Sequence, residues 1–406
     1  MKLCINEVLY AFSVALDAVE HELAGVTTYH SQRVAYMTST MGKFMGMDDN
    51  ERMLLAAASL LHDNALSEYV QGELASGVPM QDIRLESRLE RHCAYGEANV
   101  RVLPFYEGIK HAILYHHETA DGTGPMGKMP AETPLYARLI HLADRVDVQL
   151  DFSAMSPEKY ETVRKHVMEE TGRAYDSEVA EVFLQAIHYE ALAGIAGDNI
   201  VTILFDSLPR VHRQFTTSEL TEFANMFARI IDYKSPFTTR HSVGIAEKAR
   251  AMGAFYGWDA ATQNKLYFAG AMHDIGKLLI PNGILEKPGK LTTLEYRDMQ
   301  NHAAGTYAIL RNISGIDDIT RWASRHHEKL DGSGYPFGLS GEELDHKDRL
   351  LACIDVYQAL VEPRPYKDGL PHAKVMEMLR DMVDKGKLDG DIVADIDTCF
   401  GAAHAA

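Results

Sequence analysis

Seven metal-ligand-type residues occur twice in this chain in nearly one register, and that repetition limits what the chain can fold into more than any other feature. The second set is His241, His273, Asp274, His302, His326, His327 and Asp355. The first is His30, His62, Asp63, His92, His116, His117 and Asp144. Partners stand 211 residues apart, except that His92, His116 and His117 are separated from theirs by 210, so single-residue length changes account for the difference. Chance does not align seven such residues. A duplicated metal site on two copies of one fold is the natural reading.

The length agrees, since 406 residues accommodate two domains of ordinary size. Helical periodicity dominates. In Ile5 to Glu22, Val8, Leu9, Phe12, Ala15, Leu16 and Val19 recur at spacings of three and four. Similar patterns predict helices over 51–63, 83–101, 133–150, 156–170, 177–192, 218–233, 240–256, 260–273, 293–312, 316–327, 345–361 and 371–385. Runs of alternating β-branched residues are almost absent, so the expected class is all-α: two tandem helical bundles related by internal duplication. The segment NIVTILF, Asn199 to Phe205, reads as a short strand or extended linker. The expected division is residues 1–198, a linker over 199–216, and a second domain over 217–406, the two domains touching within one chain.

The acidic excess of 58 Asp and Glu over 40 Lys and Arg, net −18, argues against duplex nucleic acid or an anionic membrane as partner. No apolar run is long enough to span a bilayer and the start does not resemble a signal peptide, so a cytoplasmic protein is expected. Cys4, Cys93, Cys353 and Cys399 are scattered and make no Cys-x-x-Cys pair. They suggest reduced thiols, and neither a disulfide framework nor a thiolate zinc site.

Imidazole and carboxylate ligands suit divalent Fe, Mn, Zn, Ni or Mg. Five histidines and two aspartates exceed the need of one ion. Two ions about 3.5–4 Å apart, bridged by a carboxylate and a hydroxide, would use them all and suit in-line attack at phosphorus.

HDIGK at 273–277, the stretch from Pro281 to Thr306, HHEKLDGSGYP at 326–336, RLLACIDVYQAL at 349–360 and RPYK at 364–367 together resemble the HD-GYP phosphodiesterases, a branch of the HD superfamily of metal-dependent phosphohydrolases. The resemblance spans about 217–400 and makes both bundles HD-type domains. It implies that His241, His273 and Asp355 hold one ion, that His302, His326 and His327 hold another, and that Asp274 bridges them. It implies iron or manganese as the usual metals. Lys277, one helical turn beyond Asp274, would stabilise phosphate charge or protonate the leaving O3′. Tyr335 of the signature loop and the cations Arg364 and Lys367 would contact substrate. Three-metal members carry a glutamate where this chain has Phe237, which favours two metals.

The resemblance further implies hydrolysis of a 3′,3′-cyclic dinucleotide, cyclic di-GMP or 3′,3′-cGAMP, to a linear dinucleotide. Two alternatives stay open: a non-catalytic module that binds such nucleotides, and a general HD-type phosphohydrolase. The first copy keeps all seven ligand types, but Leu66 replaces the lysine, the tyrosine of the loop is missing from DGTGP at 121–125, and RPYK has no counterpart. A poor catalyst with a regulatory or structural role is expected there, with metal an open question.

Overall fold

The structure, a computed structural model, describes the chain except residues 25–27, 79–88, 151–153, 197–198, 235–240, 288, 364–367 and 402–406. Its described residues form nineteen α-helices, several 3₁₀ turns and one two-stranded sheet, Lys2–Cys4 with His212–Gln214. The all-α expectation holds. The chain separates into two compact units, Cys4–Arg213 and Gln214–Ala406, the latter joined by Met1–Leu3.

Local chemistry explains most helix starts. Thr216, Thr292 and Asp345 each cap a helix with the side chain while Glu219, Glu295 and Asp348 return a bond to the cap backbone, so Thr217–Asp232, Thr293–Leu310 and His346–Val361 begin where orphan N–H groups are satisfied. Ser156 followed by Pro157 starts Pro157–Glu170 in the same spirit. Packing supplies the rest. Thr217–Asp232 buries Leu220, Phe223, Phe227, Ile230 and Ile231, each contributing roughly 1.5–3 kcal/mol when fully buried.

In the second unit, His241–Phe255 packs on Ala260–Met272 and on His346–Val361, and Thr293–Leu310 packs on the 3₁₀ turn Ile275–Leu279 and on Asp317–Ser324. In the first unit, His30–Phe44 packs on Asp49–Leu60 and Leu135–Leu150 in the corresponding way. Each set of seven residues therefore sits on helix ends and faces that converge inside its own unit.

Three departures from the expected pattern have physical reasons. Ile200–Ser207 is an α-helix, neither strand nor extended linker, because Ile200 and Leu204, four apart, are both buried on one face. The pattern over 177–192 breaks into Ser177–Ala186 and Tyr189–Ile195, where Ile187 and His188 turn extended. The helices His30–Phe44 and Leu66–Ala75 carry buried polar residues, which weakened their apolar stripe. Of the helix expected over 83–101, Leu89–Val100 is observed and 83–88 lie outside the described residues. No helix among the described residues is long and apolar enough to cross a membrane.

Candidate metal centre

His241 opens its helix, His273 and Asp274 lie where Ala260–Met272 passes into a 3₁₀ turn, His302 is buried in Thr293–Leu310, His326 and His327 follow Asp317–Ser324, and Asp355 is buried in His346–Val361. The side chains group in space. His241, His273 and Asp355 bring one donor atom each within 4.8 Å of one another, and so do His302, His326 and His327. Asp274 lies between the groups: its Oδ2 is 3.0 Å from His273 Nε2 and 4.0 Å from His241 Nε2, while Oδ1 is 3.5 Å from His302 Nε2 and 3.9 Å from His326 Nε2.

Tautomers decide what such a cluster can hold. The Nδ1–H groups of His273, His302 and His326 donate to the carbonyls of Gly270, Met299 and Ala323, each three residues earlier. Nδ1 thus carries the hydrogen, and every Nε2 turns a lone pair inward. His302 Nε2 and His326 Nε2 then face each other at 3.3 Å with no proton between them. His273 Nε2 and Asp274 Oδ1 are buried without any hydrogen-bond partner. Lone pairs and carboxylate oxygens converging on one buried space are what a divalent cation needs, and the residues fit one.

Electrostatics agree. Burial would push the Asp274 carboxyl up, but His273 and Lys277 hold it well below the usual range. Burial pushes His302 and His326 down and His327 to about 4, leaving neutral imidazoles. Burial also works against a charged His241, yet hydrogen bonds to Asp355 and Glu362 outweigh it and raise its pKa to about 9, a measure of the negative field at that end. Glu362, missed in the sequence, accepts from His241 Nδ1 at 2.9 Å and fixes the ring.

Lys277 reaches the same place by a tighter turn than expected. In the 3₁₀ segment Ile275–Leu279, residues three apart eclipse one another, and Lys277 Nζ donates to Asp274 Oδ2. Gly276 makes this possible, because a Cβ there would lie 1.9 Å from the His302 carbonyl oxygen. Thr306 ties the contact by accepting from Gly276 N and donating to the His273 carbonyl.

The signature loop is fastened by a second missed residue. Buried Glu328 accepts from the backbone N–H groups of Phe337, Gly338 and Leu339. Gly334 lies so close to it that a Cβ would stand 2.4 Å from Glu328 Cα. Tyr335 is thereby set against His327, ring centroids 4.7 Å apart, on a cavity of about 190 Å³ that Tyr296, His326 and Lys329 also line. Glu328→Ala leaves three donors without their acceptor, and a loss of about 3 kcal/mol is expected. A urea unfolding curve checks it, and an unmoved midpoint would mean that the loop holds without Glu328.

The first unit repeats this design with changed surroundings. His30, His62 and Asp144 form one group, and His92, Cys93, His116 and His117 the other. Asp63 again divides its oxygens, Oδ2 at 3.3 Å from His62 and Oδ1 at 3.3 Å from His92. Glu118 fastens its loop by accepting from Met126 N and Lys128 N. Around this centre, Leu66 stands at the Lys277 position, Thr119 at that of Lys329, His141 at that of Ala352 and Arg145 at that of Val356. Ala352 and Val356 line the cavity of the second unit. Their bulkier, polar counterparts occupy the equivalent helix positions in the first.

The structure thus brings together all fourteen of the candidate ligands, seven in each unit, together with Lys277 and Tyr335. Arg364, Lys367 and Phe237 lie outside the described residues. Glu328 and Glu118 were detectable in sequence, since HHE followed by DG recurs in register; Glu362 was not, because its counterpart in the first unit is a different device, Asp147, which accepts from His30 Nδ1 and from Arg33.

Two helical units, each closing histidines and aspartates around one buried space, define a tandem phosphohydrolase-like architecture. HD-domain family models match residues 225–392 and 27–149, and the chain belongs to the HD-domain family, whose domain it contains twice. It is 29% identical over 398 residues to 3′3′-cGAMP-specific phosphodiesterase 1 of Vibrio cholerae, covering 96% of this chain and 90% of that one. It is 32% identical to 3′3′-cGAMP-specific phosphodiesterase 3 of the same organism over 72% of this chain and 63% of the other. A cyclic di-GMP phosphodiesterase of Thermotoga maritima is 36% identical over 38% of this chain and 41% of its own length. The fold is that of a solved cyclic GMP-AMP phosphodiesterase of V. cholerae, with a TM-score of 0.68, 23% identity and coverage of 99% of this chain and 98% of the other.

Proposed function

We propose that the second unit hydrolyses a 3′,3′-cyclic dinucleotide to its linear form, and that 3′,3′-cGAMP is preferred over cyclic di-GMP. The observation that carries the reaction class is the split of one buried carboxylate, Asp274, between two groups of inward-facing donors with Lys277 beside it. The preference is supported by the likeness to a 3′3′-cGAMP-specific enzyme that runs nearly the whole chain, against 38% for the T. maritima cyclic di-GMP enzyme.

His241, His273 and Asp355 would hold one divalent ion, His302, His326 and His327 a second, and Asp274 would bridge them; iron or manganese is favoured, with Zn, Ni or Mg as alternatives. Such ions supply an activated water and neutralise charge on the phosphoryl oxygens. The chain's own groups do the rest. The backbone carbonyls behind His273, His302 and His326 keep each ring in the tautomer that offers Nε2. Lys277 would supply a cation where charge grows as the water oxygen bonds to phosphorus and the P–O3′ bond breaks, and would pass a proton to O3′. Tyr335 and Tyr296 give the cavity two aromatic rims suited to a purine base. Arg364 and Lys367 add cations for phosphate or guanine. The first unit, without a counterpart to Lys277, we read as non-catalytic, a support or regulator of the second.

Purified full-length chain reconstituted without oxygen with Fe(II), and separately with Mn(II), tests this against both dinucleotides. Linear product from 3′,3′-cGAMP at the higher rate is the expected result. Metals bound with no turnover of either nucleotide would replace the enzyme by a binding module.

A further inference from the structure

We propose that the first unit is a metal site in its own right, in which the Cys93 thiolate is a ligand and which takes zinc or another thiolate-preferring divalent ion. This stands independently of the catalytic reading of the second unit. Cys93 is buried, and its Sγ lies 3.8 Å from His92 Nε2 and 3.8 Å from His116 Nδ1, inside a group in which His92, Cys93, His116 and His117 each bring one donor atom within 4.8 Å of the others, so that His92 Nε2 is the ring nitrogen with which the thiolate shares an ion. Zinc–sulfur and zinc–nitrogen bonds of about 2.3 and 2.05 Å at a tetrahedral angle put the two ligand atoms about 3.6 Å apart, so the observed edge needs little adjustment.

The spacing of the cysteines in sequence argues against a thiolate site, and Cys93 meets the histidines only through the fold. The rings that surround it are set for ligation. His62 and His116 donate Nδ1–H to the carbonyls of Ser59 and Ile113, turning Nε2 inward. His92 Nε2 and His116 Nε2 face each other at 3.4 Å, and His30 Nε2 and His62 Nε2 at 3.3 Å. The carboxylates remain as well, and buried Glu20 adds one more, with Oε1 3.7 Å from His30 Nε2.

The thiol is peculiar to this copy. The matching residue of the second unit is Ala303, buried and without a donor. The copy that carries the thiol has Leu66 in place of the lysine and His141 and Arg145 at the cavity positions. A softer donor set without the catalytic cation suits an ion that is held, and it distinguishes this site from the nitrogen and oxygen donors of the second unit.

The test loads the full-length chain with Co(II) and records the near-ultraviolet thiolate-to-cobalt charge-transfer band, with bound metal counted by mass spectrometry. The band is expected in the wild-type chain and in His302→Ala, which disables the other centre, and it is expected to vanish in Cys93→Ser and Cys93→Ala. Zinc retention in the first unit should weaken at least about tenfold in both Cys93 variants. A cobalt-loaded wild-type chain without the band, or a band undiminished in a folded Cys93 variant, overturns the proposal. So does a His302→Ala, His241→Ala double variant that binds no metal while its circular dichroism is unchanged.

Discussion

Asp274→Ala is expected to reduce cyclic dinucleotide hydrolysis below about one thousandth of the wild-type rate and to lower the metal content of the second unit together with it. The reason is positional. Each oxygen of this carboxylate faces a different group of histidines, at 3.0 Å to His273 and 3.5 Å to His302, so its removal takes a donor from both groups at once. It also takes away the hydrogen-bond partner of Lys277, whose ammonium is then left with only the more weakly acting charges of Asp355 and Asp232. The fold should survive, because Lys277 is 23% exposed and can turn to water. Asp274→Asn separates shape from charge: it keeps the volume and loses the anion, and it should fail nearly as badly. Metal analysis and product formation on both variants check the claim, which fails if either keeps both metals or a tenth of the rate. The corresponding change at Asp63 should leave the metal of the second unit in place.

Much of this centre was legible in the sequence because ligand identity is a property of residue type and register, and both survive duplication. The helices were legible where an apolar stripe is unbroken and a Thr or Asp cap precedes it, as in Thr217–Asp232 and Thr293–Leu310. What escaped depends on contact across the chain. Glu362 is 121 residues from His241 and meets it only because two helices pack. In the first unit the same service comes from Asp147 with Arg33, at positions where the second unit has Gln358 and Gly244; a side chain at Gly244 would run into Gln358, with a Cβ 2.4 Å from its Nε2. Two solutions to one requirement leave no shared pattern for a sequence comparison to find. Ile200–Ser207 reads as strand in the sequence for another reason: β-branched residues favour strands only where a sheet exists to receive them, and burial of Ile200 and Leu204 on one face decides for helix.

Lys277→Leu gives the second unit the residue that the first carries at the same register, and it should cost about 10²–10³-fold in turnover while leaving both metals bound. Geometry sets the two halves of that expectation. Lys277 donates to the side of Asp274 that faces His273 and donates nothing to the histidines, so its loss removes no metal donor. Burial opposes its charge, yet Asp274 raises its pKa above the ordinary lysine value, so it stays a cation across the working range of the enzyme. A fixed positive charge beside the phosphoryl group acts when negative charge has grown, in the transition state, and its removal should lower kcat and leave KM nearly unchanged. Lys277→Arg should restore part of the rate, since the charge returns on a differently shaped head. Lost metal in Lys277→Leu would make the lysine a structural strut of the centre, and an unchanged kcat would leave charge stabilisation to the metals alone. The same substitution read in reverse, Leu66→Lys, should not awaken the first unit, because His141 and Arg145 still stand at its cavity positions and Thr119 and a tyrosine-free loop still replace Lys329 and Tyr335.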